Sequence, residues 1–96
     1  MMLNSKQRAA LRGMANRLPA IFQIGKGGVG EQMVRELMDA LEARELIKIT
    51  VLETAFMSAR EACNLVCEAT DAEPVQVIGN KFVIYKESRD HKTIEI

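Results

Sequence analysis

The stretch IFQIGKGGVGEQMV, residues 21–34, sets four glycines into six positions directly after an apolar run. Glycines so dense let a backbone approach a ligand that any Cβ would hold away, and free N–H groups at the start of a following helix favour an anion. Three chemistries share this pattern. Gly25, Gly27 and Gly30 fit the G-x-G-x-x-G turn of dinucleotide-binding proteins, with Glu53 in the place of the acid that holds a ribose. Lys26 to Gly30 supplies most of a phosphate loop. Gly25-Lys26-Gly27-Gly28 supplies the shorter G-x-x-G with which some RNA-binding loops clamp a sugar–phosphate backbone.

The neighbours of the cluster discriminate among them. KGGVG resembles the deviant Walker A motif of ATPases related to nitrogenase iron protein, where Lys and then Ser or Thr follow the glycines. The Lys neutralises the β- and γ-phosphates and the hydroxyl holds Mg²⁺. Here those positions are Glu31 and Gln32. A carboxylate repels the phosphate and an amide does not replace the hydroxyl. A dinucleotide site lies between two βαβαβ halves, and 96 residues supply one. A nucleotide-binding module of a larger enzyme system is therefore the alternative reading. The G-x-x-G reading asks only for glycines, backbone N–H groups and a nearby point charge, here Lys26.

No other catalytic constellation stands out. The serines are Ser5, Ser58 and Ser88, and the single histidine, His91, lies in a polar tail. Glu36, Asp39 and Glu42 read as a solvated helix face. Cys63 and Cys67, four apart in a helical stretch, share one face, where small thiols serve as core; further metal ligands are missing. We expect no enzyme activity, metal, cofactor or small-molecule substrate.

The formal net charge is zero, but its distribution is uneven. The first thirty residues hold no acid and five bases, Lys6, Arg8, Arg12, Arg17 and Lys26. Residues 31–73 hold ten acids against four bases, and residues 74–96 four bases against three acids. The basic end thus contains the glycine cluster, which favours backbone binding over a turn that merely needs glycines. There is no apolar run of the ~20 residues that span a membrane, and MMLNSKQRAALRG lacks the apolar stretch of a secretory signal. The expected location is the cytoplasm, the expected state a monomer, and the expected organisation one domain over 1–96, with a core of about residues 3–87 and a loosely held polar tail over 88–96.

The elements that must position these residues follow from periodicity. LNSKQRAALRGMANRL predicts a helix capped by Asn4 or Ser5, with Leu3, Ala10, Leu11, Met14 and Leu18 inward, ended by Pro19. AIFQI is a strand. EQMVRELMDALEAR is an amphipathic helix with Met33, Val34, Leu37, Met38 and Leu41 inward. ELIKITVLE is a second strand, and a third helix over 58–70 turns Ala62, Cys63, Leu65, Val66 and Ala69 inward. PVQVIGNKFVIYK is a hairpin turning at Gly79-Asn80. The order α-β-α-β-α-β-β predicts a mixed α/β (α+β) fold with a four-stranded mixed sheet, parallel at its core through two crossovers, with the hairpin adding one antiparallel strand. Among only four aromatic residues, Phe22 and Phe56 are expected in the core, and Tyr85 either at the surface or partly buried with its hydroxyl bonded. With so few aromatics, stacking of bases on the sheet is not expected as the principal mode.

Beyond these single features, SKQRAALRGMANRLPAIFQIGKGGV, ALEARELIKITVLE and PVQVIGNKFVIYK, in this order, resemble the CRM domain family (chloroplast RNA splicing and ribosome maturation), most nearly its single-domain bacterial YhbY-like RNA-binding proteins. The resemblance spans about Leu3 to Lys86. It implies a fold similar to the C-terminal domain of translation initiation factor three. It also implies association with precursors of the large ribosomal subunit as an assembly factor, and a KH-like GxxG loop in RNA contact. Carried over residue by residue, the RNA surface comprises Gly25, Lys26, Gly27 and Gly28 with Lys6, Arg8 and Arg12 of the first helix. Lys48 matches a family lysine that either touches RNA or keeps a strand face soluble. Two departures stand out: Val29-Gly30 replaces the hydroxyl cap usual after the loop, and Asp71 replaces a glycine after the third helix, where it must take the left-handed conformation.

Overall fold

The computed structural model describes residues 2–96. The first helix, α1 (Ser5–Ala15), starts at Asn4, whose side chain accepts from the Gln7 N–H at 2.8 Å while the Gln7 side chain accepts from the Asn4 N–H at 3.0 Å. This reciprocal capping box selects Asn4 over Ser5 as the cap. The inward line of α1 is Leu3, Leu11, Ala15 and Leu18, whereas Ala10 and Met14 are exposed, against expectation. The helix is rotated so that half-buried Arg8 falls on the inner side, its Nε donating to the Pro74 carbonyl at 3.1 Å. An aliphatic stem lets an arginine share an apolar face in this way.

The strands β1 (Ala20–Ile24), β2 (Leu46–Val51), β3 (Glu73–Ile78) and β4 (Lys81–Tyr85) form one sheet in the order β1-β2-β4-β3. β1 and β2 are parallel, joined through α2 (Glu31–Arg44); β4 is antiparallel to both β2 and β3. The sheet is mixed and four-stranded as expected, but its core is not mainly parallel. The hairpin folds back so that β4 enters between β2 and β3, leaving a single parallel pair. The physical reason is legible in composition. Phe82, Val83, Ile84 and Tyr85 are all buried, as suits a strand covered on both faces, while Pro74 and the polar Gln76 belong on an edge, since proline cannot donate to a ladder.

Each face of the sheet carries its own core. Ile47, Ile49, Val51, Phe82 and Ile84 pack with Ile24 against α2 and α3 (Ala59–Thr70). Leu46, Val75, Val83 and Tyr85 pack against α1 on the opposite face. Cys63 is buried and Cys67 half-buried at the α3 core, both as free thiols. Three expected core residues point outward: Met38 of α2, and Leu65 and Ala69 of α3. Tyr85 is buried, and its hydroxyl has no hydrogen-bond partner among the described residues. Phe56 departs furthest. It ends a short 3-10 turn (Glu53–Ala55) with φ 53° and ψ 36°, and its side chain is 92% exposed, whereas Ala55 and Met57 on either side pack against the core.

The segment after β4 is not loose. The Glu45 carboxylate, fully buried, accepts from the N–H groups of Ser88 (2.9 Å), Thr93 (2.8 Å) and Ile94 (2.9 Å). Glu42 accepts from the N–H groups of Arg89 (2.9 Å) and Asp90 (3.0 Å) and from the Ser88 hydroxyl (2.7 Å). Two carboxylates at the end of α2 thus gather residues 88–94, and Ile94 packs against the α1 core. Glu42 is therefore a tether and not only a solubilising charge.

Candidate nucleic-acid interface

The glycine cluster follows β1 as a tight turn, closed by the Gly28 N–H donating to the Gly25 carbonyl at 2.9 Å. The four glycines have different physical reasons to be there. Gly28 has φ +64°, the left-handed region that glycine enters without cost. At Gly25 a Cβ would lie 3.3 Å from the Thr54 Oγ1 and 3.4 Å from the Leu52 Cδ1, so the neighbouring segment presses on it. Gly27 has neither constraint: its φ is not positive, and a Cβ there would meet nothing within 4 Å. The fold tolerates a side chain at Gly27, which faces open space.

Lys26, between these glycines, is exposed. Beyond the turn, Gly30 is the N-cap of α2 with no side-chain hydrogen bond, as the missing hydroxyl predicts. The first-turn N–H groups thus lack a side-chain acceptor. Glu31 in that turn, 96% exposed, forms only a long contact of 3.9 Å to Arg35. Its carboxylate stands where a phosphate loop has its lysine. Among the described residues no three metal-ligating side chains come together, and no helix is long and apolar enough to cross a membrane.

The nominated basic residues do not form one cluster. α1 lies over Leu46, Val83 and Tyr85, at the start of β2, while the glycine turn lies beyond Ile24, which pairs with Val51 at the end of β2. The six residues of β2 separate them by roughly 17–20 Å. Lys6 and Arg12 are exposed on α1; Arg8 is held by Pro74 and offers less of its guanidinium. Half-buried Lys48 sits between the two regions, on the face of β2 shared with Leu46 and Thr50, which α1 leaves partly open.

Two residues that sequence reading passed over belong to this geography. Lys81 pairs with Thr50 and lies on the same face as Val83 and Tyr85, diagonal to Lys48 across the β2–β4 ladder. Alternation within KFVIY, counted from the buried aromatics, is the signal that places it. Phe56 stands at the end of the sheet where the glycine turn lies, and nothing in residue type or spacing distinguished it from a core aromatic.

A mixed sheet with α1 on one face and two helices on the other, ending in a glycine turn with an exposed lysine before a helix start, defines a small α/β module. The chain belongs to the CRS1 / YhbY (CRM) domain family, whose model matches residues 3–86. It is 43% identical over 95 residues to "Probable RNA-binding protein YqeI" of Bacillus subtilis, covering 99% of both chains. It is 32% identical over 90 residues to a Haemophilus influenzae protein named "RNA-binding protein", covering 94% of this chain and 91% of that one. The solution structure of the hypothetical protein SAV1595 from Staphylococcus aureus superposes with a TM-score of 0.78 at 44% identity, over 99% of each chain.

Proposed function

We propose that this protein is a non-enzymatic, cytoplasmic RNA-binding protein that holds structured ribosomal RNA by its sugar–phosphate backbone and acts, as a monomer, in assembly of the large ribosomal subunit. The observation that carries the reading is Gly27. It is a glycine that the fold does not require, beside the exposed Lys26, in a turn that faces open space. The names of the relatives support RNA as the ligand, and the acid-free stretch through Gly30 supplies the counter-charge. No cofactor enters this function.

Neutralising about three to five phosphates predicts that log K falls against log salt with a slope of roughly −2 to −5. A filter-binding titration against a large-subunit RNA fragment measures it; a flat response or no binding at low salt would refute backbone recognition. The Lys26→Glu variant should weaken binding to different RNAs alike while leaving the melting transition in place. The assembly role predicts that tagged protein co-sediments with large-subunit precursors and is released by RNase.

A further inference from the structure

Phe56 is the most exposed aromatic side chain among the described residues, at 92%, yet its backbone is firmly placed. Its N–H donates to the Glu53 carbonyl at 3.1 Å, the Ala55 N–H donates to the Leu52 carbonyl at 3.0 Å, and Ala55 and Met57 are packed on the core. The residue sits at φ 53°, a region that bulky L residues seldom occupy. A phenylalanine displayed to water by a pinned, left-handed backbone contributes nothing to the core it was expected to join. The held backbone presents the ring to a flat apolar partner, and the ring has only two side-chain torsions to order on contact.

Its position specifies that partner. The Leu52 N–H donates to the Ile24 carbonyl at 2.8 Å, and Thr54 presses on Gly25, so the segment carrying Phe56 is stitched to the first residue of the glycine turn. From Thr54 to Phe56 is two residues, a reach of at most about 7 Å. The charges around the turn divide the space. Glu53, in the same short turn as Phe56, and Glu31, at the start of α2, are both exposed and repel phosphate from their sides, leaving the approach over Lys26 and Gly27. A base carries no net charge and offers a π-face, so it tolerates a carboxylate neighbour that a phosphate does not. We infer that Phe56 is a stacking platform for one unpaired base of an RNA strand whose backbone crosses the Gly25–Gly28 turn. This rests on the RNA-binding reading and adds to it a preference: single-stranded or looped RNA at this point over a continuous duplex, whose bases are already stacked.

The test compares a single-stranded RNA oligomer with a perfect duplex of the same length, using wild type, Phe56→Ala, Phe56→Trp and Lys26→Glu. Alanine keeps a Cβ in the same backbone region, and removing an exposed ring spares the core; a melting curve verifies this. Phe56→Ala should weaken binding of the single strand by roughly 5- to 150-fold, the range for one base stacked on an aromatic ring, and leave duplex binding unchanged. Phe56→Trp should restore it. Because the chain contains no tryptophan, the new indole fluorescence should be quenched by the single strand. Single-strand affinity unchanged in Phe56→Ala but lost in Lys26→Glu would overturn the platform while sparing the RNA reading, and would turn Phe56 over to a protein contact. Equal loss on single strand and duplex would also overturn it, since a stacked base cannot be the cause. Failure of the wild type to bind either RNA would defeat both proposals.

Discussion

Gly27 and Gly28 are adjacent and chemically identical, yet they answer to different demands. Gly28 occupies φ +64°, so a side chain there strains the turn; Gly27 does not have a positive φ and has room for a Cβ. Gly28→Ala should therefore lower unfolding stability by about 1 kcal/mol or more. Gly27→Ala should hold it or raise it by up to ~1 kcal/mol, through the smaller entropy of its unfolded chain. RNA affinity should move the other way for Gly27→Ala, falling because the methyl group obstructs the backbone. Urea unfolding and filter binding on the two variants separate fold from function at single-residue resolution. A Gly27→Ala protein that is both stable and fully active would remove Gly27 from the interface.

At the scale of elements, the end of α2 does more than terminate a helix. Glu45 ends it with φ 66°, a costly conformation for a non-glycine residue, and is kept there by three backbone donors to its buried carboxylate and by its own carbonyl accepting from Lys86. Burial alone would raise the pKa of that carboxyl; the N–H groups of Ser88, Ile94 and Thr93 outweigh it and lower it. Glu42 is held down to about 2, chiefly by the Arg89 N–H, the Ser88 hydroxyl and the Asp90 N–H. A depressed carboxylate stabilises the folded state above its unfolded value and loses that contribution as pH falls through its folded value. The Glu42 tether should thus be complete above pH 4.5 and be lost as pH falls toward about 2. Protection of the Arg89 and Asp90 amides, taken relative to their intrinsic exchange rates, should fall across that window and stay level from pH 5 to 7. In Glu42→Gln that protection should be low at every pH. No periodic pattern announced this clasp. Each carboxylate has the spacing of a surface acid, and its partners lie more than forty residues away.

For the whole molecule, the uneven charge acquires geometry. The basic first thirty residues become α1 on one face of the sheet and the glycine turn at the far end of β1, with the acidic stretch beginning at α2 on the other face. Lys48 and Lys81, from neighbouring strands, occupy the interval between α1 and the turn. If an RNA strand runs the length of this face, each lysine contributes one phosphate contact. Lys48→Ala/Lys81→Ala should then flatten the salt slope by about two without changing which RNA is preferred. An unchanged slope would confine the interface to the turn and α1. The exposed apolar side chains Met38 and Leu65 lie on helices packed against the opposite face, away from this track.

Residue order and local chemistry determine much of this protein by themselves. The three helices, four strands and the Gly79-Asn80 hairpin follow from periodicity and turn residues, which act within a few positions of themselves. The left-handed Asp71 after α3 and the missing side-chain cap at Gly30 follow from the same local rules. The tertiary structure decided what depends on partners distant in the chain. It set β4 between β2 and β3, rotated α1 so that Arg8 turned inward and Met14 outward, and drew residues 88–94 onto Glu42 and Glu45. It also turned Phe56 out to solvent beside the glycine turn. The physical reason is common to all four. A side chain's face is fixed by which neighbour covers it, and hydrophobicity alone cannot say whether an aromatic residue is covered by its own fold or left open for something else.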